Sequence, residues 1–296
     1  MRKAFFQLHI AVFLAGFTGI LGRLITLNEG LLVWYRLLFS AATMWVLYLL
    51  LKKIQKISFA DIIKITGVGF IATIHWVAFY GSIKYANVSV GLVCFSSIGF
   101  FTALFEPLIL KRRIDLTELL LGIIVMLGIY IIFQFDSAYK TGIILGILSS
   151  MLGSLFPIYN RVILQRNINV ETLMTWELTG GFLLLSALLP FYLNYFPVPT
   201  ILPGWENFFW LLGLAWICSV WAFWLSGNAL KKLSAFTVNL TYNLEPLYGI
   251  LLAFIVYHEN KFLSKWFYIG FALITLTLVV HIVLLTRKRR KEVQLA

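Results

Sequence analysis

Charge is scarce in this chain. Of 296 residues only 12% are charged, while 61% are hydrophobic. A soluble domain of ordinary composition carries about 25% charged residues, so too few are present to cover a wetted surface, and a soluble globular fold is excluded. Intrinsic disorder is excluded by the opposite excess, because it requires low hydrophobicity. Acidic residues are the rarer sign, 12 Asp+Glu against 24 Lys+Arg, for a net charge of +12. There are only two cysteines, Cys94 and Cys218, both inside apolar runs, which excludes a disulfide framework. The histidines, His9, His75, His258 and His281, are scattered, and no Cys/His group has metal-ligand spacing. No metal or cofactor is expected. A membrane-embedded enzyme would need a catalytic cluster at one depth, and these scattered histidines supply none, so the chain is read as not an enzyme.

What is present is long apolar sequence. Ten segments stand out: 6–27, 30–51, 63–83, 88–110, 117–134, 142–164, 171–194, 206–229, 235–257 and 264–286. A spanning helix needs roughly 20 apolar residues, so ten of them with short connections use nearly the whole chain and leave no room for a separate soluble domain. The predicted fold is an all-α polytopic membrane protein. The start, Met1 to Phe6, is basic and then apolar without a small-residue cleavage site, so the first helix is read as retained.

The basic residues then orient the chain. With the N-terminus placed in the cytoplasm, eighteen of the Lys and Arg residues fall at cytoplasmic ends. Four, Lys84, Lys140, Lys261 and Lys265, fall at the opposite ends, and Arg23 and Arg36 lie within helices. Such a bias in short loops is the positive-inside pattern rather than a nucleic-acid footprint, so no nucleic-acid partner is expected. Both termini are read as cytoplasmic, and the run Arg287 to Lys291 as the anchor of the last helix. A bacterial inner membrane is the expected location, with the lipid bilayer as partner.

The chain also repeats itself. Ile83-Lys84-Tyr85-Ala86-Asn87-Val88-Ser89 aligns with Leu230-Lys231-Lys232-Leu233-Ser234-Ala235-Phe236 at an offset of 147. Trp34-Tyr35-Arg36-Leu37 aligns with Thr175-Trp176-Glu177-Leu178 at an offset of 141. The loop around Tyr195 to Gly204 absorbs the difference. Two five-helix halves result, 1–137 and 138–296. Because five is odd, the second half is inverted, an arrangement that puts a binding site near the midplane and supports alternating access.

Ionisable residues inside a membrane are expensive and are candidates for function. Glu245 lies ten residues into the ninth segment and precedes Pro246, which is expected to free the carbonyl of Tyr242 within a continuous helix. Asn239, Tyr242, Asn243 and Pro246 share a face at helical spacing, so a polar stripe beside a broken hydrogen bond points to a cavity. Glu245 is read as binding cargo or coupling to protons; the alternative is a packing role. On the fourth segment Thr102 joins a thinner stripe with Gly99 and Glu106. Glu106 is a site, a gate, or an ion pair with Arg112 or Arg113. Arg36 and Glu177 are repeat equivalents of opposite charge, each ~9 Å deep from opposite faces of a core ~30 Å thick, which is too far for contact. Each therefore needs its own partner, for Arg36 either Glu29 or a helix end, in a gating or structural role. Arg23 is expected to snorkel outward. His75 and Tyr80, with Trp76 between them, lie mid-segment and either line the cavity or pack. Two glycosylation-type triplets, at Asn87 and Asn239, hug or enter the membrane and are read as chance.

These residues resemble a known family. Tyr35-Arg36-Leu37-Leu38, the run Phe79 to Val90, Glu245-Pro246-Leu247 through His258-Glu259, and Gly122, Gly128 and Gly270 are similar to the ten-helix EamA-type branch of the drug/metabolite transporter superfamily. Gly99 and Arg112 depart from it, standing where the first half of the family carries a proline and a glutamate. The resemblance implies a secondary transporter, an exporter of small metabolites such as amino acids. A multidrug or sugar-type carrier of the same fold remains the alternative, and a non-transporting receptor or scaffold is the rival outside transport. Neither cargo, energy source nor oligomeric state is legible in the residues.

Overall fold

A computed structural model describes residues 2–135, 137–230, 233, 241–242 and 244–295. The fold is all-helical among these residues. In chain order the long helices are α1 (Arg2–Leu24), α2 (Glu29–Leu50), α3 (Phe59–Tyr85), α4 (Val88–Phe95), α5 (Ile98–Leu110), α6 (Leu116–Phe135), α7 (Lys140–Leu164), α8 (Val170–Tyr195), α9 (Trp205–Ala215), α10 (Ala222–Leu230), α11 (Glu245–Tyr257) and α12 (Lys265–Leu295). Nine stretches among the described residues are long and apolar enough to cross a membrane, with α4–α5 and α9–α10 each counting as one. Part of the ninth predicted segment, 235–257, lies outside the described residues, and its described helix, α11, has 13 residues. A multi-pass membrane protein is thus shown in its all-helical, apolar architecture.

Local sequence explains the helix starts. Asn28, Ser58, Asn87 and Asn169 each sit in extended conformation and accept a hydrogen bond from a backbone N–H in the following turn. The fourth predicted segment is broken at Ser96–Ser97, where the Ser97 hydroxyl donates back to the Cys94 carbonyl at 2.7 Å. The eighth contains a π-helical turn, Trp216–Trp221. Short polar side chains bond their own backbone and offer an alternative to the regular ladder, which suits such breaks.

The helices pair in a pattern that obeys the exchange of the two halves. α3 packs on α7 and, correspondingly, α1 packs on α9 and α10; α4 packs on α7 while α11 packs on α1; α2 meets α8, and α6 meets α12. Several of these contacts are backbone-close. A Cβ on Gly270 would lie 2.5 Å from the Gly128 carbonyl oxygen, and one on Gly16 would lie 2.9 Å from the backbone of both Glu245 and Gly249. Without a hydrophobic driving force between helices in lipid, small residues that permit such approach are what hold them together. Large hydrophobics at the surface, such as Leu50, Leu120, Phe191 and Ile255, are exposed as a lipid-facing surface requires.

Candidate functional site

Arg36 projects from α2 into the interior and is only 5% exposed. Its Nε donates to Ser219 Oγ at 3.1 Å and its Nη1 donates to the Tyr80 hydroxyl at 2.7 Å. The guanidinium carbon lies 4.4 Å from the centre of the Trp76 ring, a cation–π distance. Neither expected partner is used: Glu29 instead accepts from the Tyr192 hydroxyl at 2.8 Å. This choice of partner has a local cause. The π-helical turn on the α9–α10 span carries Ser219 to α2, and Ser219 Oγ itself bonds the Leu214 carbonyl five residues back at 3.2 Å.

Glu245 opens α11, where Pro246 stands in the first helical turn rather than interrupting a helix. Proline suits that place because the N–H it lacks would have no intrahelical partner there. The Glu245 side chain is partly accessible.

Tyr242 is bonded through its hydroxyl to Ser226 of α10. Asn239 and Asn243 lie outside the described residues, so the four-residue polar stripe cannot be traced. His75 is buried and clamped to α7: its Nδ1 is 2.8 Å from the Ser149 carbonyl oxygen and 2.9 Å from the Ser149 hydroxyl. Phe79, Phe95 and Phe156 surround its ring. Thr102 turns back onto its own helix, donating to the Ile98 carbonyl at 2.8 Å.

The outlying charges are paired differently from expectation. Glu106 meets Arg161 of α7 at 2.8 Å, not Arg112 or Arg113; the left-handed turn at Lys111 ends α5 and leads the following arginines away. Arg23 does not simply snorkel but binds Glu259 and covers the Tyr257 ring at 4.3 Å. Glu177 accepts from Asn160 Nδ2 at 2.8 Å, so Arg36 and Glu177 each have their own partners. A groove of about 470 Å³ between α1 and the α9–α10 span is mostly apolar, lined by Phe17, Leu21, Trp210, Ile217 and Cys218 with Glu206 at its edge, among others. Its Cys218 adjoins Ser219, the residue that accepts from Arg36. Ser219, Ser149 and Asn160 were missed by sequence reading. For Arg36 the sequence pointed to Glu29 or a helix end; which serine it meets instead depends on the π-helical turn.

The model of the EamA-like transporter family matches this chain twice, over residues 2–134 and 140–281. The chain belongs to the EamA-like transporter family. Arg36, Trp76 and Tyr80 therefore come from the first EamA match, and Ser219 and Glu245 from the second, so the polar centre is shared between the two repeats. A crystal structure aligns with a TM-score of 0.62 at 14% identity, covering 96% of this chain and 98% of that one, which supports the fold. No curated protein matches. As an EamA-like protein the chain is a membrane transporter of the drug/metabolite type, with a small-molecule substrate and a lipid environment.

Proposed function

We propose that this protein is a secondary transporter that exports small metabolites such as amino acids across a bacterial inner membrane, by alternating access around a midplane site. One observation carries this reading: the buried guanidinium of Arg36 bonds Tyr80 from its own matched repeat and Ser219 from the other, so a charged centre is built inside the helix array from both repeats. Charged groups are retained at such depth where they bind or couple. In this reading the halves 1–137 and 138–296 are inverted, ten spans place both termini in the cytoplasm, and rocking of one repeat against the other opens the site to each side in turn. Glu245 exchanges a proton or holds a cationic group of the cargo, with Tyr242 and Tyr80 nearby. Glu106 and Glu177 lie at a distance and act as gating or structural charges.

Purified protein in proteoliposomes, supplied with a metabolite mixture under an imposed pH gradient, tests this. The parent should accumulate at least one compound. Glu245→Gln, which preserves volume, should still exchange that compound while losing accumulation driven by the gradient. If the residue holds a cationic group instead, its affinity should fall at every pH. Full activity with an unaltered pH profile removes Glu245 from the mechanism, and the absence of any flux in the parent overturns the reading as a whole.

A further inference from the structure

Ion pairs among the described residues include Arg23–Glu259, Lys53–Glu171, Arg161–Glu106 and Arg166–Asp61. Each joins side chains with solvent on at least one partner. Arg36 stands apart from all of them: it is buried, and its hydrogen bonds go to two neutral hydroxyls. A guanidinium carries five N–H donors in a planar fork. Here one from Nε and one from Nη1 are used, and Nη2 donates to no described residue. No carboxylate of a described residue, Glu245 included, bonds the guanidinium directly; a buried charge so placed is costly, and packing alone would be served as well by a neutral side chain.

A second, independent observation lies opposite it. The α9–α10 span leaves regular helix for one π-helical turn, Trp216–Trp221, and that turn presents Ser219 to Arg36. Such turns are rare and concentrate at functional sites. On the remaining side Trp76 lays its indole face along the guanidinium at 4.4 Å, next to the ring cluster of His75, Phe79 and Phe95. The centre thus combines one fixed cation, free donors in a fork and an aromatic wall.

We propose that Arg36 is the anion-binding subsite of the transport site, and that the cargo is a singly charged carboxylate with an apolar body. The carboxylate takes the free N–H groups of the guanidinium, the geometry that arginine offers to carboxylates, and the apolar body lies against Trp76. Tyr80 and Ser219 hold the fork in place as positioning residues. A lone guanidinium suits one negative charge; a phosphate dianion would call for a second cation, and no other Lys or Arg is bonded at this centre among the described residues. The inference rests on the transport reading for its role but on Arg36 alone for its chemistry.

The test uses the full chain in lipid nanodiscs with benzoate and benzamide, which share a shape and differ in charge. Benzoate should raise the unfolding temperature in a saturable way and benzamide should not. Arg36→Gln should weaken benzoate binding by about tenfold or more, as loss of a charge-assisted bond implies. Arg36→Lys, which retains the charge without the fork, should fall between. Equal effects of the two probes, or undiminished benzoate binding in Arg36→Gln, overturns the proposal. Should Arg36→Gln not fold, the benzoate–benzamide contrast in the parent and in Arg36→Lys still decides it. In proteoliposomes, the compounds moved from the metabolite mixture should carry a carboxylate. Flux confined to cations or neutral compounds sinks the anion subsite while leaving transport standing, whereas carboxylate binding without any flux sinks the transport reading alone.

Discussion

The Glu259 carboxylate, just after α11, is bound by the Arg23 guanidinium at the end of α1, and the same carboxylate accepts from the backbone N–H groups of Val88 at 3.0 Å and Ser89 at 2.8 Å. One buried side chain thereby ties three helix ends together on one face of the array. The donors of Val88 and Ser89 are those that the start of α4 leaves without intrahelical partners, and the positive end of the helix dipole favours a carboxylate there. The Tyr257 hydroxyl, donating to the Ile20 carbonyl at 2.8 Å, and the Lys84 ammonium, donating to the Ile25 carbonyl at 2.7 Å, fasten the same end of α1.

The two partners of this contact should differ sharply in weight. Glu259 is buried while the Arg23 side chain is 42% exposed. Glu259→Ala leaves two backbone donors unsatisfied and should cost roughly 2–4 kcal/mol. Arg23→Ala removes one partly solvated charge and should cost ~0–1 kcal/mol. Thermal unfolding in detergent micelles compares them; equal losses would show that the ion pair, not the capping of α4, is the stabilising element.

The crossing of α6 and α12 should tolerate no side chain. Gly270→Ala would press a methyl against the Gly128 carbonyl oxygen and the Ile132 side chain, and overpacking of this kind costs about 1–3 kcal/mol. Gly67→Ala meets nothing within 4 Å and should be neutral or slightly stabilising. Unfolding midpoints of the two variants that coincide would mean that α6 and α12 part easily.

Glu177 and Asn160 give a third expectation. The carboxyl is 8% exposed and Asn160 Nδ2 is its hydrogen-bond donor. Glu177→Gln can turn its carbonyl oxygen to that donor and should keep nearly full stability, whereas Glu177→Ala orphans Asn160 and should cost about 1–3 kcal/mol. If Gln proves as damaging as Ala, the negative charge of Glu177 is itself required.

Orientation can be read chemically. Cys94 and Cys218 are both buried, so labelling of intact cells starts from a quiet background. A cysteine at the exposed position Asn194 should react with an impermeant thiol reagent, and one at Lys56 should not. The reverse pattern would place both termini outside, against the distribution of Lys and Arg.

Composition by itself decided that this is a membrane protein, since 12% charge over 296 residues cannot wet a folded surface. Apolar run length decided where most helices lie, because hydrocarbon thickness sets a fixed span whatever the neighbours. Offsets between like motifs brought out the two repeats, to which the matches at 2–134 and 140–281 correspond. Partner choice was another matter. Arg36 was visible as a charge within an apolar segment, but Ser219 lies 183 residues away and comes to it only through a π-helical turn with no sequence signature. Glu106 and Arg161, or Arg23 and Glu259, meet because helices distant in the chain pack together, the second pair where α1 and α11 cross at Gly16 and Gly249. Pro246 was visible, yet whether a proline interrupts a helix or begins one depends on where the preceding residues are held. Hydrophobicity acts residue by residue and can be read along the chain; hydrogen bonds and ion pairs act across a few ångströms, and only the packed helices determine which groups come that near.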